Sequence, residues 1–415
     1  MINRPSRILI TDAHAKQAYA AMCSLTKRGV EVSLLSPNPV APSFASRFCK
    51  RFFISPPYSE KERYLEFVLE RVQELHYDLL IPCDDVSVIY FSESRDRFKP
   101  YVEFVLPDHR TVETVAYKDN LVIFAKENGI PIPKSACVQR MEEYEKAAGE
   151  LEGDIVVVKG VRGAGARQVR YARKGQIEEA ISGILKMGDA YNPRLPILQE
   201  YVPGPDTLVL LLCDRGEVLA LCVTRTIRRY PTTGGLAAKA VTVEDPQVDA
   251  LTRRVAKAIG WHGMAGFAFR QDSRDGRYKL LEINPRFGGR TQISVTAGVD
   301  LPYLLWHRFV EKKPLSAATA RAGAVYRSLF PEELLHLLAK PSSLANFIAD
   351  FFHGGTDYGW HPFEWKVVYR QLRGTWWEFQ DRCRAGSFRY PCGRPPASFA
   401  GEARPPLPRR PKVNE

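Results

Sequence analysis

The stretch Asp275-Gly276-Arg277-Tyr278-Lys279-Leu280-Leu281-Glu282-Ile283-Asn284-Pro285-Arg286-Phe287 decides how this chain folds. Its turn, Arg274-Asp275-Gly276, joins two apolar runs, the pattern of a β-hairpin. Side chains alternate along a strand, so Glu282 and Asn284 share one face while Leu281 and Ile283 take the other. Asn and Pro are poor strand residues without a special purpose. Two oxygen donors side by side, with Arg286 beyond them, suit Mg²⁺ bound to polyphosphate. That ion takes a few protein oxygens and completes its shell with phosphate and water. An edge strand with one solvated face is the plainer alternative.

Three further stretches point the same way. In Val156-Val157-Val158-Lys159-Gly160-Val161-Arg162-Gly163-Ala164-Gly165-Ala166-Arg167 an apolar strand delivers a lysine into a loop of small residues. Such a loop lets backbone N–H groups surround phosphate oxygens while the lysine adds a point charge. No G-K-[ST] follows the glycines, so it is not a P-loop, and a flexible hairpin explains it equally well. In Ile197-Leu198-Gln199-Glu200-Tyr201-Val202-Pro203-Gly204-Pro205-Asp206 a strand ends in a carboxylate, a short linker and a second carboxylate. An adenine could lie against this linker with Asp206 reaching ribose hydroxyls; a Pro-Gly turn between solvated acids is the alternative. In Arg225-Thr226-Ile227-Arg228-Arg229-Tyr230-Pro231-Thr232-Thr233-Gly234-Gly235 a basic loop could hold an anionic substrate or a transferring phosphoryl group, or be simply solvated.

Around these stretches the pattern is regular. Arg7 to Thr11, Val30 to Leu35 and the run from Asp78 to Pro82 read as buried strands. Between them lie a helix with Ala18, Ala21, Met22 and Leu25 on one face, and an amphipathic helix from Lys61 to Tyr77. This is the signature of a parallel sheet covered on both faces. The first turn, Thr11-Asp12-Ala13-His14-Ala15, has no glycine, which disfavours NAD or FAD there. A helix from Asp119 stops at Gly129, and Asp245-Pro246 offers an N-cap and first-turn proline for a helix to Ile259.

The chain has 415 residues, which at about 150 per domain suggests two or three domains. Hydrophobic residues are 45% and charged residues 26%, ordinary globular usage that excludes a fibrous or wholly disordered protein. The longest apolar run, Leu208 to Cys213, is far short of the about twenty residues that span a membrane. The N-terminus lacks a secretory signal's apolar stretch, so the cytoplasm is the expected location. The eight cysteines show no C-x-x-C spacing or zinc-like cluster, and Cys83 reads as a strand-end core thiol. A net charge of +12 suits nucleic acid or anionic small molecules equally well.

The motifs, taken in order, resemble the ATP-grasp superfamily of carboxylate–amine or carboxylate–thiol ligases, which includes D-alanine–D-alanine ligase and carbamoyl-phosphate synthetase. With Ala297-Gly298-Val299-Asp300-Leu301-Pro302-Tyr303-Leu304-Leu305, the stretch 275–287 looks like that of the bacterial stand-alone carboligases of that superfamily. The resemblance runs from about residue 1 to 311. It implies an α/β and α+β fold with a Rossmann-like pre-ATP-grasp domain (1–112) and a two-lobed ATP-grasp domain (113–311); beyond it, residues 312–385, with aromatic clusters such as Trp376-Trp377, read as a helical extension, and 386–415 as a Pro/Arg-rich disordered tail. It matches Lys118 and Lys159 to nucleotide-binding lysines, and Gly163, Ala164, Gly165, Ala166 and Arg167 to a mobile loop. It matches Glu200, Tyr201 and Val202 to an adenine-binding linker, Asp206 to a ribose-binding acid, Glu282 and Asn284 to metal ligands, and Arg286 to a phosphate-facing arginine. Arg228 and Arg229 are candidates for holding substrate or intermediate.

The implied cofactors are ATP and Mg²⁺, with Mn²⁺ as a substitute. The implied partners are a small-molecule carboxylate and an amine, not a membrane or nucleic acid; homo-oligomer formation is left open. The implied reaction makes an acylphosphate from ATP and then an amide, or less readily a thioester. Three positions depart from the family. Ala268 stands opposite Glu282 where a carboxylate or Gln is usual, Ala166 replaces a frequent Ser, and Gly160 a frequent Pro, the last expected to matter little. Ala268 keeps a second reading open, an ATP-binding pseudoenzyme with a sensing or scaffold role; a nucleic-acid binder is a third.

Overall fold

Four short apolar runs near the N-terminus pair side by side in a computed structural model, which describes residues 4–163, 168–187, 194–352, 356–357, 364–384 and 388. They are β1 (Arg7–Ile10), β2 (Glu31–Ser36), β3 (Arg51–Ile54) and β4 (Leu79–Ile81), in the order β3-β2-β1-β4 and all parallel. Alternation divides their side chains. Ile8 and Ile10 pack with the helix Lys16–Thr26, whereas Leu9 and Leu35 pack with the helix Lys61–Leu75 through Tyr64, Leu65, Val68 and Val72. The glycine-free turn is held by Asp12, which is fully buried at φ 63° and accepts hydrogen bonds from Cys83 N–H at 2.8 Å and Ser87 Oγ at 2.7 Å. Cys83 is fully buried, and burial pushes its thiol well above the ordinary range, so it is a core thiol.

The middle of the chain makes two more sheets. The smaller combines β5 (Ser135–Ala136), β6 (Ile155–Lys159), β7 (Val169–Arg173) and β8 (Ile197–Glu200) in the antiparallel order β5-β8-β6-β7. The larger is built on β9 (Asp206–Asp214), β10 (Glu217–Tyr230), β11 (Leu236–Thr242), β12 (Gly263–Gln271) and β13 (Tyr278–Asn284). The run Leu208 to Cys213 lies at its centre, with Leu210 and Leu212 facing one core and Val209, Leu211 and Cys213 the other. Burial on both faces explains why that run does not alternate with polar residues. The second core is closed by the helix Pro246–Ile259, whose N-cap Asp245 accepts from Val248 N–H at 3.3 Å and which ends at Gly260 with φ 64°.

Two expectations change. The extension contains helices, including Trp365–Arg384, but also β14 (Ala318–Thr319), β15 (Val325–Arg327) and β16 (Thr356–Asp357). These join the large sheet, giving eight strands in the order β13-β12-β9-β10-β11-β15-β16 with β14 on β10. The basic segment expected as a loop is strand: β10 continues to Tyr230 and pairs with β11, leaving only residues 231–235 as the turn. The tail from 386 onward lies outside the described residues, Phe388 excepted.

Candidate functional site

The hairpin β12–β13 sets the position of the carboxylate. Ala268 pairs with Glu282 and Gly266 with Asn284, the expected register. It is reached by a different route, because the loop spans 272–277 and a bulge between Ala268 and Phe269 restores the offset. That extra residue corrects one detail: Leu280, not Leu281, joins Ile283 in the core. Glu282 is half-buried, and Asn284 Nδ2 donates to its Oε1 at 3.3 Å. Among the described residues no lysine or arginine forms an ion pair with Glu282. A carboxylate left without a cation beside an amide suits a divalent ion. No group of three or more His, Cys, Asp or Glu is arranged for a metal among the described residues, so the donors present are these two side chains.

Two lysines come to the same place from separate elements. Lys159 ends β6 and donates from Nζ to Gln199 Oε1 on β8 at 2.6 Å. Burial pushes its pKa down to about 8; the charges of Lys118 and Arg270 act in the same direction, and those of Glu282 and Asp206 oppose it. Lys118 opens the helix Lys118–Glu127, donates its backbone N–H to Val161 O at 2.9 Å and its Nζ to Gly163 O at 3.0 Å. Gly163 has φ 110°, a conformation that glycine tolerates. Ala164, Gly165, Ala166 and Arg167 lie outside the described residues. Gly160 matters more than expected: its N–H donates to Gln168 O at 2.8 Å, a bond proline cannot make, and a Cβ there would overlap the Gln168 side chain.

The two linker acids are paired rather than open. Buried Glu200 accepts from Lys134 N–H at 2.9 Å, Lys279 Nζ at 2.8 Å and Arg274 at 3.0 Å. Burial alone would raise its pKa, yet these donors hold it below the ordinary carboxylate range. Asp206 accepts from Arg270 Nε at 2.6 Å and from Arg229, and despite burial these cations hold its pKa down. Arg270 also donates to Val202 O at 3.2 Å, and the Tyr201 ring meets Tyr171 edge-on at 6.1 Å. Tyr171 donates to Thr233 O at 2.8 Å and so joins the small sheet to the 231–235 turn.

The arginines divide. Arg286 donates to Asp85 at 2.8 and 3.2 Å and to Asn284 Oδ1 at 3.4 Å, which ties the hairpin to the N-terminal domain. Arg228 is committed to Glu333 and Asp350 of the extension, which neutralise its guanidinium. Arg229 meets Asp206 instead; the register shift after Thr226 lets neighbouring arginines take different partners.

One residue escaped the sequence reading. Arg290 donates to Thr224 Oγ1 at 3.0 Å and Thr226 Oγ1 at 2.8 Å and has no carboxylate within ion-pair distance among the described residues. Burial pushes its pKa down to about 10, partly offset by Asp206. The only signal was a basic residue directly after Gly288-Gly289, four positions beyond Arg286.

The chain is similar to several known proteins. The family described as "ATP-grasp in the biosynthetic pathway with Ter operon" matches residues 193–329. A D-aspartate ligase of Enterococcus faecium (strain Aus0004) is 24% identical over 290 residues, covering 64% of this chain and 68% of that protein. The biotin carboxylase domain of the Hydrogenobacter thermophilus 2-oxoglutarate carboxylase, solved with MgADP and bicarbonate, superposes with a TM-score of 0.63 at 18% identity, over 77% of this chain and 73% of that one. An L-amino acid ligase from Bacillus licheniformis gives a TM-score of 0.57 at 15% identity, over 76% of each chain. The chain has the fold of the ATP-grasp proteins, and its sequence is similar to an ATP-grasp family over residues 193–329.

Proposed function

We propose that this protein is an ATP-dependent ligase that activates a substrate carboxylate and joins it to an amine. In the first step a carboxylate oxygen attacks the γ-phosphorus of ATP, the bond to the β-phosphate oxygen breaks, and ADP leaves an acylphosphate. In the second the amine nitrogen attacks the acyl carbon, phosphate departs, the nitrogen loses a proton, and an amide remains. The reading rests on one observation: Lys118 and Glu282, each on an element separate from that of Lys159, both lie near enough to Lys159 for their charges to act on it.

Each residue meets a physical need of that chemistry. Lys118 and Lys159 neutralise the triphosphate while its γ-phosphoryl group passes to an anion. Glu282 and Asn284 are the residues that would hold Mg²⁺, or Mn²⁺ in its place, and the bound ion would lower the charge that the phosphoryl group presents. Asp206 orients the nucleotide from its position beside Arg229 and Arg270. Arg290, half-buried and with hydroxyl partners only among the described residues, holds the carboxylate of the substrate or the acylphosphate. The role expected of the segment 163–167, of which 164–167 lie outside the described residues, is to keep the intermediate from water.

The likeness to a D-aspartate ligase and an L-amino acid ligase makes amino acids the first substrates to try. The test is ADP and phosphate release by purified protein given Mg²⁺, ATP and pools of amino acids and other carboxylates and amines. Substrate-stimulated release with an amide product is expected. Nucleotide binding without turnover on any pool would contradict the ligase reading.

A further inference from the structure

The helix Trp365–Arg384 has one face docked and one face bare. Val367 is fully buried and Thr375 nearly so, Arg370 donates to Ala41 O at 3.0 Å, and Glu364, just before the helix, accepts from Tyr19 Oη at 2.5 Å and Arg47 N–H at 2.7 Å. On the opposite side Trp365, Tyr369, Leu372 and Trp376 follow one another at helical spacings of four, three and four. At 100° per residue they fall within a stripe about 60° wide. Trp365 is 69% exposed and Trp376 61%. Lys366 and Arg373, both exposed, flank this stripe.

Charge selects among occupants. The helix carries five Lys/Arg against two Asp/Glu, and residues 386–415 carry six Lys/Arg against two Glu. The chain's own tail therefore bears the same sign as the flank it would have to cover. A second copy would bring the same basic flank against this one in a whole that is already +12. A surface that is apolar beneath an anionic layer matches both features. Trp and Tyr settle at the boundary between headgroups and acyl chains, and Lys and Arg meet the lipid phosphates.

We propose that this helix lies flat on an anionic phospholipid bilayer, its aromatic stripe in the headgroup boundary and the folded body on the aqueous side. The helix rests on the membrane; no helix among the described residues is long and apolar enough to cross one.

The test is co-sedimentation of the full chain with vesicles of phosphatidylcholine, with and without about 30 mol% phosphatidylserine. Binding is expected only to the anionic vesicles, with a blue shift of tryptophan fluorescence. Trp365→Ser/Trp376→Ser and, separately, Lys366→Glu/Arg373→Glu are each expected to lower the bound fraction about fivefold or more. Both pairs are exposed, so an unchanged circular dichroism spectrum is expected alongside. Absence of binding to the anionic vesicles would overturn the proposal, as would equal binding by both variants, which would move the contact elsewhere. A dimer in light scattering that Trp365→Ser/Trp376→Ser dissolves would assign the stripe to a second copy. Salt-sensitive RNA retention lost in Lys366→Glu/Arg373→Glu without vesicle binding would assign it to nucleic acid.

Discussion

Ala268 faces Glu282 directly across the β12–β13 ladder, so a methyl group occupies the position from which a third oxygen donor would reach the hairpin carboxylate. If Glu282 and Asn284 suffice, as proposed, Ala268→Glu leaves substrate-stimulated ADP release unchanged or lower. Activity that appears only in Ala268→Glu would mark the natural chain as a binding protein that has lost its metal site.

Lys159 carries the pH dependence. An ordinary lysine keeps its proton to 10.5, but here burial brings the pKa down to about 8. In the free protein the charge needed for phosphate is therefore lost as pH rises through 8, and kcat/KM for ATP falls on that side. The stability effect has the opposite direction. The folded state holds this proton less tightly than the unfolded chain, so the cost is full below 8 and fades as pH climbs towards 10.5. Lys159→Met is thus expected to lose ATP binding yet melt higher than the natural chain at pH 7, a difference that narrows by pH 10. Calorimetric melts across that range check it.

Among the described residues Arg290 has only Thr224 and Thr226 as hydrogen-bond partners, and we propose an anionic substrate group as its counterion. Arg290→Met is expected to raise KM for the carboxylate about 10- to 100-fold, the size of a lost charged hydrogen bond. KM for ATP should move far less. An equal rise in both would place Arg290 on the nucleotide instead.

Glu333 holds two arginines: Arg327 Nε donates to it at 2.8 Å and Arg228 also pairs with it, and both Glu333 and Arg327 are buried. Removing the acid strands buried guanidinium charge, so Glu333→Ala should cost about 3–5 kcal/mol in urea unfolding. Glu93, paired with Lys61 at 2.7 Å in an exposed setting, is the comparison; its loss should cost under about 1 kcal/mol.

What could be read in the sequence was what local pattern encodes. The Asp-Gly turn and alternating residues gave away the β12–β13 hairpin, and Asp245-Pro246 with Gly260 marked both ends of a helix. The bulge at Leu281 could not be read, because one inserted residue leaves the composition of a strand unchanged. The end of β10 resembled a loop because Arg225, Arg228 and Arg229 are costly in a buried strand. Their neutralising acids, Asp245, Asp206, Glu333 and Asp350, come from distant parts of the chain. The strands at 318–319, 325–327 and 356–357 are too short to show a period. Glu200 and Asp206 were legible as acids flanking a linker, but their saturation by Lys279, Arg274, Arg270 and Arg229 depends on tertiary pairing.

On the proposed function, Lys118, Lys159 and Glu282 form one site for a magnesium-bound triphosphate. Isothermal titration of ATP into the natural chain, Lys159→Met and Glu282→Gln, each with and without Mg²⁺, tests it most directly. Mg²⁺-dependent binding by the natural chain is expected, with loss of binding in Lys159→Met and loss of the Mg²⁺ dependence in Glu282→Gln. Equal ATP binding by all three proteins would contradict it.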